Sequence, residues 1–407
     1  MVATPLMWKS LDNFATSYSY LYTCPLEWDR KSGKLVYNKF SRKLIPWAGA
    51  VFSALIVFIA CSVLLSCRLF GVVKHVELSD LLLTAVFLCL ATFGLLLEIV
   101  LLLFSECFAH SFNCCVVHVK KLGSNRIFQA GESHLRFDPL GITLNVIVAM
   151  FAIYPYFMYP FIVYFRLDPF TQIFYYLLPH NITTSPLISF IFMALRLSAI
   201  FPLLAGNRLF SCIAITTTLD AHLGLTILSI LASSTNNVNM MGVGRRAIDK
   251  YLEGYYTGQI ILEIGADFVY PGISIVMFLG FWFSVSLNFM TMKTYGIVPM
   301  PFYAFFPTGS LLTGVLISFM LPMLVDVYEN SGEMYAKWKH LAGRCPDKKY
   351  LKRKLRATRV VRIYGGINGY NFYVCKKSTK LTYYGWILSY TISALLSVDT
   401  KSMRRTG

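Results

Sequence analysis

The sequence predicts an all-α polytopic membrane protein with seven transmembrane helices, its N-terminus in the cytosol and its C-terminus outside. Three observations lead there: an apolar composition, seven long apolar runs, and the side on which positive charge falls. Of 407 residues, 56% are apolar and only 14% charged, with a mean hydropathy of +0.58; a soluble domain carries about 25% charged residues.

Residues 1–44 hold Trp8, Asp12, Glu27, Asp29 and seven Lys or Arg before any long apolar run. No cleavable signal is expected there, so the first span would serve as the targeting signal. A bilayer core needs about 20 mostly apolar helical residues, because lipid offers backbone polar groups no partner and a helix satisfies its own. Residues 45–66, 80–104, 141–165, 187–205, 268–290 and 302–325 meet this requirement, as does the shorter run 381–398.

An eighth stretch, 211–232, is apolar enough to compete, although Thr216, Thr217, Thr218, Asp220 and His222 fall in its middle. Charge arbitrates. If this stretch does not span and the N-terminus is inside, 29 Lys and Arg lie in the cytosol and 7 outside. If it spans, the division becomes roughly 20 to 16, which discards the positive-inside bias. Seven spans therefore fit best, with 211–232 continuing the fourth helix below the membrane or forming a buried cytosolic helix. Residues 233–237, Ser-Ser-Thr-Asn-Asn, then read as a flexible loop.

The same count disfavours a G-protein-coupled receptor, whose N-terminus lies outside. It also accounts for the net charge of +17 without a nucleic-acid partner. The basic run from Lys348 to Arg356 reads as a positive-inside anchor beside anionic headgroups. Of ten cysteines, only Cys67 can approach the outer face, which leaves no extracellular disulfide framework. The sequon Asn181-Ile182-Thr183 lies in a loop assigned outside, making Asn181 a candidate glycosylation site.

No catalytic residue, metal site or cofactor site is predicted: H-E-x-x-H, G-x-x-x-x-G-K-S/T, G-x-S-x-G and C-x-x-C are all missing. Two charges sit within spans, Glu98 and Arg196, each costing at least about 2.5 kcal/mol at a helix centre. Arg196 reads either as a polar group in a ligand cavity or as half of a structural ion pair. The third span carries Tyr154, Tyr156 and Tyr159 around Pro155 and Pro160, and the fifth carries Phe281-Trp282-Phe283. These aromatics suit an interfacial belt or the walls of a cleft open to the outside. In the last span Ser389, Ser393 and Ser397 recur every four residues and share a helix face, with Ile392 expected on another. Such a stripe either lets helices pack closely or lines a wet pore, where Leu395 or Leu396 could form a hydrophobic constriction.

At its end the chain resembles the arthropod gustatory and odorant receptor superfamily. Gly369-Tyr370-Asn371-Phe372, followed by Leu381 to Tyr390 and a short tail, is similar to the split last helix of that family. Ser389-Tyr390 followed by Thr391 to Leu395 matches the first part of the family's Thr-Tyr, five apolar residues, Gln-Phe signature, and Leu396-Ser397 replaces Gln-Phe. The departure suggests a divergent, gustatory-receptor-like branch. The resemblance implies a plasma-membrane chemosensory receptor acting as a ligand-gated cation channel. It would be a homo- or hetero-tetramer whose last helices surround a pore for monovalent or divalent cations. A small-molecule ligand would sit in the outer half of each bundle. The chain then divides into a cytosolic segment 1–44, a six-helix bundle 45–325 with a cytosolic extension at 206–267, a basic anchor region 326–380, and a final pore-type helix with a short outer tail, 381–407. A secondary transporter or a non-transporting scaffold is the alternative from residues alone.

Topology is directly testable. A tag after Gly407 should be reached by antibody on intact cells, and a tag before Met1 only after permeabilisation. Asn181→Gln should remove a glycosidase-sensitive mass shift; an N-terminal tag accessible on intact cells would overturn the arrangement.

Overall fold

The computed structural model describes residues 4–73, 78–124, 138–177, 186–237, 245–296, 298, 300–342, 347–367 and 369–397. In chain order the elements are α1 (Pro5–Ser17), the hairpin β1 (Leu26–Asp29) and β2 (Lys34–Tyr37), α2 (Ile45–Leu69), α3 (Leu78–Ser124), α4 (Pro139–Tyr164) and α5 (Pro169–Tyr176). Then come α6 (Pro186–Ser198), α7 (Ile200–Asn237), α8 (Arg245–Lys293), the single turn α9 (Met300–Tyr303) and α10 (Phe305–Leu341). Last are α11 (Lys348–Ala357), a second hairpin of β3 (Tyr364–Ile367) and β4 (Tyr370–Val374), and α12 (Lys377–Ser397).

Among the described residues six stretches are long and apolar enough to cross a membrane: Arg42–Leu69, Asp80–Gly123, Pro139–Tyr176, Pro186–Ser233, Ile248–Lys293 and Phe305–His340. The seventh expected span corresponds to α12. Its 21 residues reach about 31 Å at 1.5 Å per residue, enough for a hydrocarbon core of about 30 Å. Its hydroxyls keep it below the apolarity of the other six. The outward faces of the spans are apolar, as on α2, where Phe52, Leu55, Ile59 and Val63 are exposed at helical spacing.

Helices α3 and α8, with 47 and 49 residues, are each about 70 Å long, more than twice the bilayer core. They run antiparallel past each other. The Phe108 and Phe268 rings stack at 4.2 Å, Ser111 donates to the Ile261 carbonyl at 2.7 Å, and His118 Nε2 meets the Gly254 carbonyl at 2.9 Å. All three contacts lie at the end of the bundle that charge assigns to the cytosol. Gly265 makes the approach possible, since a Cβ there would stand 2.7 Å from Ser111 Oγ and 3.1 Å from its Cβ.

The inner half of α7 runs through the middle of this projecting region. From Ser211 to Leu231 almost every residue is buried, so this stretch is apolar for contact with protein rather than lipid. It continues the fourth span, whose only interruption is at Ala199, where Pro202 supplies no N–H to the Ser198 carbonyl. The threonines among its polar residues are accommodated locally. Thr216, Thr218 and Thr226 donate to the carbonyls of Cys212, Ala214 and His222 at 2.8, 2.6 and 2.8 Å. The helix persists to Asn237, so 233–237 is not the flexible loop expected; Ser233 donates to the Ile230 carbonyl at 2.9 Å, and no Pro or Gly intervenes to break the turn.

The N-terminal segment closes on the same region. Thr4 caps α1, which buries Met7, Leu11 and Phe14 on one face. Asn13 donates to Asn145 of α4 at 2.7 Å, and Asn145 donates to the Leu6 carbonyl at 3.0 Å. Gly33, at φ +61°, turns the first hairpin, and the Asn113 side chain of α3 pairs with both the N–H and the carbonyl of Leu35, at 3.0 and 2.8 Å. Arg208 of α7 reaches back to Glu27 at 2.9 Å and to the Tyr22 carbonyl.

The basic region adds the other side. Helix α11 buries Leu351 and Leu355 and turns its lysines and arginines outward. Tyr255 of α8 donates to the Arg359 carbonyl at 2.7 Å, and Ser331 of α10 accepts from Val361 N–H at 2.9 Å. Beyond it, Gly369–Phe372 lies in the second hairpin and not in the last helix, correcting the expectation drawn from the resemblance. Gly369 takes φ +83° in the turn, and Tyr370, Phe372 and Val374 favour the extended form. Helix α12 then lies along α8, with Tyr383 donating to the Met277 carbonyl at 3.0 Å and Tyr390 edge-on to Phe281 at 5.4 Å.

Gly265→Val should force α3 and α8 apart at Ser111. The expected loss is about 1–3 kcal/mol, typical of overpacking, read as a lower thermal unfolding midpoint of the purified protein.

Candidate functional site

A cavity of about 390 Å³ runs inside the bundle between α2, α3, α4, α7, α8 and α10. Its outer part is walled by Phe87, Phe151, Tyr154, Tyr159, Phe283, Phe305 and Thr308. The prolines of α4 help open it: Pro155 and Pro160 sit inside the helix and leave the carbonyls of Phe151 and Tyr156 without their usual donors. Tyr154 stands 3.5 Å from Thr308 Oγ1, and its ring lies 5.8 Å from that of Phe305. The wall is thus aromatic with a few hydroxyls, suited to a small, mainly apolar molecule that makes one or two hydrogen bonds.

One end of the cavity is roofed by an ion pair. Asp168 caps α5, accepting from Thr171 N–H at 2.8 Å and from its hydroxyl at 2.7 Å. Arg196 Nε donates to Asp168 Oδ2 at 2.9 Å and Arg196 Nη2 to the Val163 carbonyl at 2.6 Å. Tyr159 donates to the Arg196 carbonyl. Asp168 and Tyr159 border the cavity, while Arg196 stands behind them outside its lining. Of the two roles open to Arg196, the structure gives it the ion pair: its charge is matched by a carboxylate whose side chain is 2% exposed.

The structure therefore divides the candidate ligand residues. Tyr154 and Tyr159 line the cavity. Tyr156 points elsewhere and donates to the Tyr20 hydroxyl of the N-terminal segment at 2.6 Å, because two residues on a helix rotate a side chain by about 200°. Sequence reasoning missed Phe87, Phe151, Phe305 and Thr308, which lie in spans with no local mark to set them apart. Phe283 belonged to an aromatic triplet that stood out, but its neighbour Trp282 faces outward and Phe281 packs on α12. Glu98 borders the inner part of the cavity, where Trp47 Nε1 donates to it at 3.1 Å.

On α12, Ser389, Ser393, Ser397 and Leu396 are exposed, whereas Tyr383 and Thr391 are buried and face the bundle. Leu395 is half-buried against the cluster around Leu83, Leu287 and Phe306. The serine stripe thus faces directly away from its own subunit's bundle. Ile392, about 100° round the helix from Ser393, is also exposed, at 47%. Asn181 lies outside the described residues. Among the described residues no three His, Cys, Asp or Glu side chains gather as a metal site.

The chain superposes on the structure of the insect olfactory receptor OR5 from Machilis hrabei in complex with eugenol, with a TM-score of 0.60 and 12% identity, over 96% of this chain and 98% of that one. The fold is that of an insect olfactory receptor. A second structure of the same Machilis hrabei receptor gives a TM-score of 0.60 and 11% identity over 96% and 97% of the two chains. No family model and no curated protein matches the sequence. At this identity the shared property is the path of the whole chain, from α1 through the long inner helices to α12.

Arg196→Ala would leave Asp168 buried without its counter-charge and should lower stability by about 3–5 kcal/mol, read by thermal unfolding of purified protein. The double variant Asp168→Asn/Arg196→Met should recover part of that loss. A single variant as stable as wild type would remove the roof from this account.

Proposed function

We propose that the chain is a chemosensory receptor that acts as a ligand-gated cation channel in the plasma membrane. A small molecule binds the cavity beside Tyr154 and Tyr159, and the last helices of four subunits, alike or mixed, surround a pore. The observation that carries this reading is the serine face of α12, open to the outside of the subunit on a chain whose whole length follows the insect olfactory receptor fold. Helix α12 is held against α8 by its buried face, so its open side is available either to water along an axis or to another subunit. Hydroxyls at Ser389, Ser393 and Ser397 would replace part of a cation's hydration shell, and Leu396, 82% exposed, would close the path by dewetting. Leu395 belongs to the bundle and supports α12 from behind.

The ligand class follows from the wall. The Machilis hrabei receptor is described with eugenol, a small phenol, and the cavity here offers aromatic faces with the Tyr154 and Thr308 hydroxyls. A transporter draws no support from Arg196, whose charge is matched in the ion pair.

The test is a cysteine scan read by current in cells expressing the chain. A Cys67→Ser background removes the partly exposed thiol at the end of α2, and Cys375 is a weak competitor because burial pushes its thiol up to about 12. Ser389→Cys, Ser393→Cys and Ser397→Cys should react with a small water-soluble thiol reagent and change the current, whereas Thr391→Cys should not. Leu396→Ala should raise basal current, and Tyr154→Ala should shift the ligand concentration needed for half-maximal response. Robust currents with all three cysteines inert would place the pore elsewhere.

A further inference from the structure

The cavity does not end with its aromatic part. Along α7 its lining runs from Pro202 to Gly224, about 33 Å at 1.5 Å per residue, into the part of the helix enclosed by protein. There its wall includes Thr217, Asp220 and Gly224 of α7, Leu262 and Val269 of α8, and Ile363, with Gly224 beside Leu262. Asp220 is 8% exposed, and its Oδ1 has no hydrogen-bond partner among the described residues. The donors beside it are committed to the helix backbone: Thr217 to the Ile213 carbonyl at 2.5 Å and Thr218 to the Ala214 carbonyl at 2.6 Å.

The other carboxylates on the cavity wall are answered, Asp168 by Arg196 and Thr171, and Glu98 by the Trp47 indole. Arg362, which also borders the cavity, is exposed; it forms no ion pair with Asp220 among the described residues, and its carbonyl accepts from Tyr270 at 3.2 Å. A buried carboxyl oxygen without a donor is costly in an apolar chamber. A ligand that brings its own donor and positive charge removes that cost and gains a charge-assisted hydrogen bond.

We propose that Asp220 anchors an inner ligand site for a small molecule carrying a protonated amine on an apolar body. The amine would meet the carboxylate, and the body would lie along Leu262, Val269 and the face of Gly224. The site is separate from the aromatic outer part and deepens the proposed receptor reading by assigning a second ligand chemistry to the same cavity. Gly224 leaves the room, since a Cβ there would find its nearest neighbour, Leu262 Cδ2, only at 4.0 Å.

The experiment uses the full-length purified protein in lipid nanodiscs, with cyclohexylmethylamine and its uncharged counterpart cyclohexylmethanol as probes, and direct binding as the readout. The wild type should prefer the amine by about tenfold or more, as expected of a charged over a neutral hydrogen-bond donor. Asp220→Asn should abolish that preference while the unliganded protein unfolds no earlier than wild type. Gly224→Leu, which fills the chamber and keeps the carboxylate, should also lose amine binding, and it decides the matter if Asp220→Asn does not fold. Equal affinity for the two probes, no binding of either, or an amine preference that survives these substitutions would overturn the proposal. No current is recorded, so a chain that fails as a channel can still pass this test, and a conducting chain can still fail it.

Discussion

An apolar helix that leaves the bilayer must be covered by protein, and the inner half of α7 imposes this condition on the rest of the molecule. From Ser211 to Leu231 it presents apolar side chains on every side. Its cover comes from the long neighbours α3, α8 and α10, which continue far beyond the bilayer core, and from chain segments that do not span. Contacts such as the Phe108–Phe268 stack and the Gly265–Ser111 approach exist because α3 and α8 must meet along that extra length. The N-terminal helix and hairpin, and the basic region with α11, fill the remaining sides through Asn113, Arg208, Tyr255 and Ser331. The inner end is thereby a protein domain entered by the cavity only along α7, and the spanning half is a looser cage of single helices around the cavity's wider part.

That division bears on function. A cage whose walls are aromatic rings and a few hydroxyls can admit a ligand by small side-chain shifts, whereas the enclosed inner end resists change. The Asp168–Arg196 pair with Tyr159 fixes where α4, α5 and α6 meet over the cavity. Helix α12 contacts the rest mainly through one face, on α8 and the cluster around Leu287. Its other face is free of its own bundle, which gives it the room to move that the proposed gating requires.

Much of the architecture was legible because the bilayer permits so little. Six spans follow from apolar length alone, and the charge division argued that 211–232 is not a span of its own; the structure makes it part of one helix with 200–210 and buries it in protein. The misreadings have local causes. Residues 233–237 have loop composition, yet side chains such as Ser233 bond back to the helix and nothing in the sequence stops it. Gly369–Phe372 was assigned to a helix by likeness, against the strand preference of its aromatics and the left-handed glycine. The site was less legible than the fold, since which face of α4 borders the cavity depends on neighbours that no pattern within one helix reveals. Tyr154 and Tyr156 look equivalent in sequence, and only packing separates them. Asp220 showed only as a reason not to span; its unanswered oxygen depends on where Thr217 and Thr218 send their hydroxyls.

The attachment of the N-terminal segment sets the order in which the molecule can be assembled. Residues 4–37 leave the ribosome before their partners Asn113, Asn145 and Arg208, which lie on the second, third and fourth spans. Until α7 is synthesised, the face of α1 bearing Met7, Leu11 and Phe14 has no finished seat. Docking of this segment is complete only once the fourth span is in place, so a contact made by residues early in the sequence is among the last that the first half of the bundle can form.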